Sequence, residues 1–298
     1  MPGEPLETFS AATRTRYGDG AQAWLDHVPD LIADVRQRWS LQLGDAATTE
    51  AAYLIDAERQ GDPLLLELSF PDGWWPETTR ALEAWGGDGT IRLLEHDDRG
   101  VRLVERHAPI PPGDESETLR SVVDVARRLW IAPPDGITSV AVEVRAWGSE
   151  LPERHVKAGR PFEREMVRRA AELFSTLGPT QGDRVLLHGD LHLTSLALAD
   201  DRRVLIDPRP LVGEREFDVA SLIRDTPLDL LADVHEGRRR VQERLQAVVG
   251  ELGCNAGRLK HWTFATAVDQ AVWCAENGDH AGGTELIETA RMIRGIEV

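Results

Sequence analysis

The segment from Leu186 to Pro210, LLHGDLHLTSLALADDRRVLIDPRP, constrains the fold of this chain more than any other. It places Asp190 directly after His188-Gly189, and Asp207 directly after the apolar run Val204-Leu205-Ile206, seventeen positions further on. Gly and Asp favour turns, so the first carboxylate belongs on a loop and the second at the end of a short strand. Taken singly, each has an ordinary explanation: His188-Gly189-Asp190 as a plain turn, and Asp207 as a strand-end carboxylate leading into Pro208. Taken together they suit two separate tasks. One carboxylate orients a hydroxyl and accepts its proton; the other holds a metal on phosphate oxygens.

Composition narrows the setting. The chain has 298 residues, 41% hydrophobic and 29% charged, which suits a soluble protein of two modest domains. No stretch approaches the roughly 20 apolar residues that span a bilayer. The start, MPGEPLETFS, has neither a basic nor an apolar signal region, and two cysteines, Cys254 and Cys274, do not make a disulfide framework. A cytoplasmic protein with no membrane partner is expected. The formal net charge of −17 repels nucleic acid and favours a cationic small molecule through the summed field, although it also serves plain solubility. The lysines are Lys157 and Lys260 alone; arginine supplies the other positive charges.

The hydrophobic periodicity predicts a helix over 19–38, strands at 39–43, 51–57 and 64–70, a helix at 76–85, and strands at 90–94 and 101–105. A Pro-rich join follows at 108–113. Beyond it, helices are predicted at 116–130, 161–177, 216–225, 228–250, 256–277 and 281–294, with short β pieces near 185–187 and 204–206. The expected fold is α+β and bilobal: a β-rich N-terminal lobe over 1–107 and a helical C-terminal lobe over 108–298, with a cleft at the join.

Three strands, a helix and two strands is the order of a protein-kinase small lobe. The kinase catalytic pattern H-R-D-L-x-x-x-N fits at His188-Gly189-Asp190, but the position of its metal-binding Asn is Ser195, a weaker single-oxygen ligand. His188 and His192 are read as structural supports of the loop. His188-x-Asp190-x-His192 also has the look of a binuclear hydrolase cluster, but no further His or Cys group lies at ligand spacing nearby. Asp218 either braces the loop carrying Asp190 or is a plain first-turn carboxylate. Glu276 and Asp279, ending a C-terminal helix, either contact a cationic substrate or are solvated.

These residues resemble the aminoglycoside and hydroxyurea antibiotic phosphotransferases, small-molecule kinases with a protein-kinase-like fold. The resemblance rests on His188-Gly189-Asp190-Leu191-His192, on Ile206-Asp207-Pro208-Arg209-Pro210-Leu211-Val212-Gly213 and on Phe217-Asp218-Val219-Ala220. Weaker matches extend it over about 35–285. It implies ATP-dependent phosphorylation of a hydroxyl on an antibiotic-like molecule. It makes Asp190 the catalytic base and Asp207, with Ser195, the magnesium ligands. It puts the adenine against the backbone of 104–106, which includes Glu105 and Arg106.

The chain departs from the family in its N-terminal lobe. Glu67 stands where the family's third strand carries a lysine for the ATP phosphates, and Thr78 where its partner glutamate would be. The loop 44–50 has one glycine and two acids, Asp45 and Glu50. These three carboxylates are expected around the triphosphate and to repel it, so Mg·ATP is expected to bind weakly, and Glu67→Lys to strengthen it. An arginine such as Arg59 or Arg80 could stand in for the lysine. Three readings follow: an active kinase with an altered ATP site using Mg2+ and ATP; an inactive pseudokinase, needing no cofactor, that binds a small molecule or a protein partner; or a kinase fold turned to other nucleotide chemistry.

Overall fold

The computed structural model describes residues 3–49, 52–111, 113–226 and 234–297. Two helices open the chain, α1 (Gly3–Tyr17) and α2 (Gln22–Arg38). Strands β1 (Gln42–Thr48), β2 (Tyr53–Arg59) and β3 (Asp62–Leu68) follow, then α3 (Trp75–Trp85), β4 (Leu93–Asp97), β5 (Val101–Glu105) and the short β6 (Ala108–Pro109). Helices α4 (Glu115–Leu129), α5 (Val140–Lys157) and α6 (Arg164–Leu177) lead to β7 (Val185–Leu187), β8 (Leu196–Ala199), β9 (Arg202–Leu205) and β10 (Leu211–Gly213). The chain closes with α7 (Arg215–Arg224), α8 (Val234–Leu252), α9 (Ala256–Glu276) and α10 (His280–Arg294).

These elements form two compact units. One comprises Met1–Ile110 with Ala197–Ile206, the other Pro111–Leu196 with Asp207–Val298. The first is built on an antiparallel sheet ordered β1-β2-β3-β5-β4. One face of the sheet is covered by the first helices: Phe9 of α1 and Val28 and Val35 of α2 are buried in one cluster with Tyr53, Ile55, Leu66, Leu68 and Leu103; β2 alternates in burial accordingly, whereas all five residues of the interior strand β5 are buried. In the second unit α9 runs through the helices, with Trp262 fully buried and its ring edge-on to Phe217 at 5.1 Å.

Several boundaries differ from the periodic pattern, for local reasons. The first strand starts at Gln42 because residues 39–41 close α2 instead, with Trp39 N–H donating to Val35 O and Leu41 N–H to Arg36 O. The stretch 44–50, expected as an open loop, is strand as far as Thr48, which pairs with Tyr53; Gly44 lies at a break in register, a usual place for glycine in a strand. Strand β4 begins at Leu93, three residues later than expected. Helices α1 and α5 were not anticipated. Helix α5 contains Pro152 and buries few residues at wide spacing, Val140, Val144, Leu151 and His155, so its periodic signal is thin. The expected helix at 228–250 runs over Val234–Leu252; residues 228–233 lie outside the described residues.

Candidate active site

Strand β7 pairs antiparallel with β10, Leu187 opposite Leu211. Arg209 N–H extends the pairing by donating to His188 O at 2.9 Å. Asp190 therefore leaves one strand at the same end of the pair where Asp207 leads into the other. Gly189 makes this possible. It has φ 79°, and a Cβ there would overlap the Arg209 carbonyl. Asp207 itself sits at φ 58° with its side chain exposed, a backbone region that Asp tolerates better than most residues.

The loop hangs on Asp218. Its Oδ2 accepts from Trp130 Nε1 at 2.9 Å and from His188 N–H at 3.1 Å, and its Oδ1 accepts from Gly189 N–H at 2.7 Å. Burial pushes this carboxyl up to about 6, against the pull of its three donors. His188 is fully buried, and its Nδ1 accepts from Asp190 N–H at 3.3 Å. The side chain of Asp190 is thus presented by a backbone fixed at three successive residues.

Asp190 is ion-paired. His192 Nε2 lies 2.8 Å from its Oδ1, and His192 Nδ1 lies 2.8 Å from Asp225 Oδ2. Asp225 in turn accepts from Arg224 Nε at 2.7 Å, and Arg209 Nε stands 3.7 Å from Asp190 Oδ2. Burial alone would neutralise His192, but hydrogen bonds to two carboxylates raise it to about 9. Burial likewise works against Asp190 and Asp225. His192 and Arg209 outweigh it at Asp190 and hold that carboxyl below its usual range; Arg224 and His192 hold Asp225 at about 2. The result is a row, Asp190–His192–Asp225–Arg224, with every member charged near neutral pH. Asp225, Arg224 and Arg209 were not singled out by the sequence reading.

Other expected site residues are engaged elsewhere. Ser195 is buried; its hydroxyl accepts from His192 N–H at 3.2 Å and donates to Asp190 O at 3.4 Å. It shapes the loop rather than facing outward as a ligand. Glu67 is not a bare carboxylate. Arg102 lies directly opposite it on β5, with the charged ends 3.9 Å apart and both side chains mostly buried. The Arg102 guanidinium stacks 3.6 Å from the Trp75 ring centroid and donates to Trp75 O and Thr79 Oγ1 on α3. Arg59 pairs with Glu95 at 2.8 Å, so it is committed within the sheet, and the Arg80 side chain is exposed.

Glu105 accepts from Arg92 N–H at 2.8 Å and from Arg202 Nη2 at 2.6 Å, and Arg106 pairs with Asp56 at 2.9 Å. Both side chains thus brace their own unit. Asp45 is exposed on β1; Glu50 lies outside the described residues. At the far end of α9, Glu276 pairs with Arg154 at 2.9 Å, while Asp279 caps α10 by accepting from Gly282 N–H at 2.9 Å. Among the described residues no group of three or more His, Cys, Asp or Glu side chains could hold a metal, which leaves the binuclear-hydrolase pattern without a cluster. Cys254 and Cys274 are free thiols, and no described helix is long and apolar enough to cross a membrane.

A β-rich unit, a helical unit and a braced His-Gly-Asp loop define a protein-kinase-like fold. Solved structures share it: aminoglycoside phosphotransferase APH(4)-Ia at TM-score 0.62 and 12% identity over 90% of this chain and 99% of that one, and choline kinase LicA from Streptococcus pneumoniae at 0.59 and 10% over 90% and 99%. The chain matches the aminoglycoside/hydroxyurea antibiotic resistance kinase family over residues 38–278 and belongs to that family. Among its relatives, streptomycin 6-kinase of Streptomyces griseus is 33% identical over 93% of this chain and 92% of that protein. Hydroxyurea phosphotransferase of Kitasatospora aureofaciens is 28% identical over 99% and 86%.

Proposed function

We propose that this protein is a phosphotransferase that places a phosphoryl group on a hydroxyl of a small antibiotic-like molecule, with Asp190 as the group that accepts the hydroxyl proton. The observation that carries the reading is the fixed presentation of Asp190, by Asp218, His188 and Gly189, at the end of the β7–β10 pair where Asp207 also emerges. His192 and Arg209 hold the carboxyl below its usual range, on the side where it can accept a proton; His192 fixes Oδ1 at 2.8 Å, and Oδ2, with Arg209 Nε at 3.7 Å, is the oxygen offered to the acceptor.

The donor set fits magnesium in a limited way. Asp207 offers an exposed hard-oxygen ligand, and magnesium commonly uses one or two carboxylates together with phosphates and water. Mg·ATP, when bound, supplies the phosphoryl group. For the phosphates themselves the fit is poorer, since β3 offers Glu67 and the nearby Arg102 is already engaged with Glu67 and Trp75. Weak Mg·ATP affinity is part of the proposal.

The test is product analysis. Incubated with millimolar Mg·ATP and a panel of hydroxylated antibiotics, the protein should add one phosphoryl group to at least one acceptor, seen by mass spectrometry. No product with any acceptor at saturating nucleotide would sink the reading. A second reading, a pseudokinase that binds small molecules without transfer, is favoured by the engagement of Glu67 and of the Ser195 hydroxyl. It predicts acceptor binding by calorimetry with no product at any ATP concentration.

A further inference from the structure

Strands β8 and β9 form a short hairpin whose second strand runs directly into Ile206 and Asp207. On one side the hairpin pairs with β6 over two positions, Ala108 opposite Leu198 and Pro109 opposite Ala197. On the other it leans on the turn Gly86-Gly87-Asp88-Gly89 that follows α3. Leu205 N–H donates to Gly89 O at 2.9 Å, Thr90 Oγ1 to Leu205 O at 2.8 Å, and Arg202 Nη1 to Gly87 O at 3.0 Å. Gly86, Gly87 and Gly89 have φ of 58°, 88° and 82°, a run of backbone that residues with side chains rarely adopt. Glu105 closes the arrangement. This buried carboxylate accepts from Arg92 N–H at 2.8 Å on Oε1 and from Arg202 Nη2 at 2.6 Å on Oε2, where Arg92 Nη2 also stands at 3.4 Å.

We infer that Glu105 and Arg202 are positioning residues for the metal ligand: they fix the hairpin that delivers Asp207, so their loss weakens the hold on magnesium and leaves nucleotide binding without magnesium intact. The inference deepens the proposed function and rests on its assignment of Asp207 to magnesium. Burial of Ala197, Ala199, Val204 and Leu205 sets the depth of the hairpin, but apolar contact is non-directional. The bonds made by Arg202 and Leu205 set its register. Asp207 lies two residues beyond Leu205 and two before Arg209, whose N–H is held by His188 O. Its carboxylate thus sits on a short bridge of Ile206, Asp207 and Pro208, and a shift of the hairpin moves it directly. Magnesium demands near-ideal octahedral geometry, so a ligand on a displaced backbone is largely lost to it. The Glu105 side chain, on this account, serves the metal ligand and does not meet adenine.

Calorimetry of ADP binding to the full chain, once with Mg2+ and once with EDTA in its place, reads the metal's contribution as the ratio of the two affinities. Wild type should bind ADP more tightly with Mg2+, and Asp207→Asn should remove that gain. Glu105→Gln and Arg202→Gln should each remove most of it, a loss of about tenfold, the scale of the outer supports of a metal ligand, with the affinity in EDTA unchanged. Arg202→Lys, which can still reach Glu105, should recover part of the loss. A gain kept in full by a folded Arg202→Gln overturns the inference. So does a Glu105→Gln whose affinity in EDTA falls while the gain persists, since that makes Glu105 a nucleotide contact. The Arg202 side chain is 39% exposed, so its variant decides even where Glu105→Gln fails to fold. A gain that survives Asp207→Asn removes the magnesium assignment and this inference with it, a result distinct from a gain lost in Asp207→Asn and kept in Arg202→Gln.

Discussion

At the residue scale, Asp190 is set by partners from distant parts of the chain. Asp225 does not reach it directly; it acts by fixing the second nitrogen of His192. Asp225→Asn should therefore lower kcat by about tenfold to a hundredfold with little change in KM, the scale of a misplaced catalytic group. Asp225→Glu should recover part of the loss. Equal kcat in Asp225→Asn and wild type would show that the His192 bridge is irrelevant to turnover.

His192 also links the site to pH. Its folded value of about 9 lies above its ordinary 6.5, so the stability it adds is complete below about 6.5 and is lost as pH rises through about 9. Thermal melts of wild type and His192→Asn should differ most near pH 6 and converge as pH rises past about 9. A constant gap across that range would mean the imidazole is not charged in the folded protein. The two carboxylates Asp190 and Asp207 were legible because their motif is local and its turn chemistry is strict. The bridge to Asp225 was not, since Asp225 lies thirty-three positions after His192 and the packing of α7 against the loop brings them together.

At the element scale, the telling contact is between β3 and β5. The sequence shows a glutamate where a lysine is expected, but the consequence depends on the strand beside it. Glu67 and Arg102 are register partners, and cross-strand neighbours of opposite charge stabilise each other. Glu67→Gln should cost roughly 2 kcal/mol, because it leaves a buried guanidinium without its carboxylate, though still stacked on Trp75. Glu67→Lys, expected from sequence to strengthen nucleotide binding, should instead destabilise the sheet more than Glu67→Gln by setting two buried cations side by side. A melting temperature for Glu67→Lys at or above wild type would contradict this. Strand β5 was legible to the residue because Gly100 and the acidic turn before it fix its start; β1 was not, because its pairing with β2 overrides a composition that reads as loop.

At the scale of the whole molecule, the β-rich first part and the helical second part were readable because most of their elements bury one face, while α1, α5 and the short strands β6, β8 and β10 carried no such signal. The assignment of Ala197–Ile206 to the β-rich unit was not readable either, since a short hairpin inside a motif carries no signal of which core it joins. Under the proposed function Asp190 takes the proton of the acceptor hydroxyl, and the rate of phosphoryl transfer reads that role directly. The decisive measurement is the initial rate of phosphoryl transfer from Mg·ATP to an accepted hydroxyl compound, for wild type and for Asp190→Asn, each shown to be folded by its melting curve. The account predicts turnover by wild type with an ATP half-saturation in the millimolar range, and a loss of about a hundredfold or more in the variant. Undiminished transfer by Asp190→Asn would contradict it.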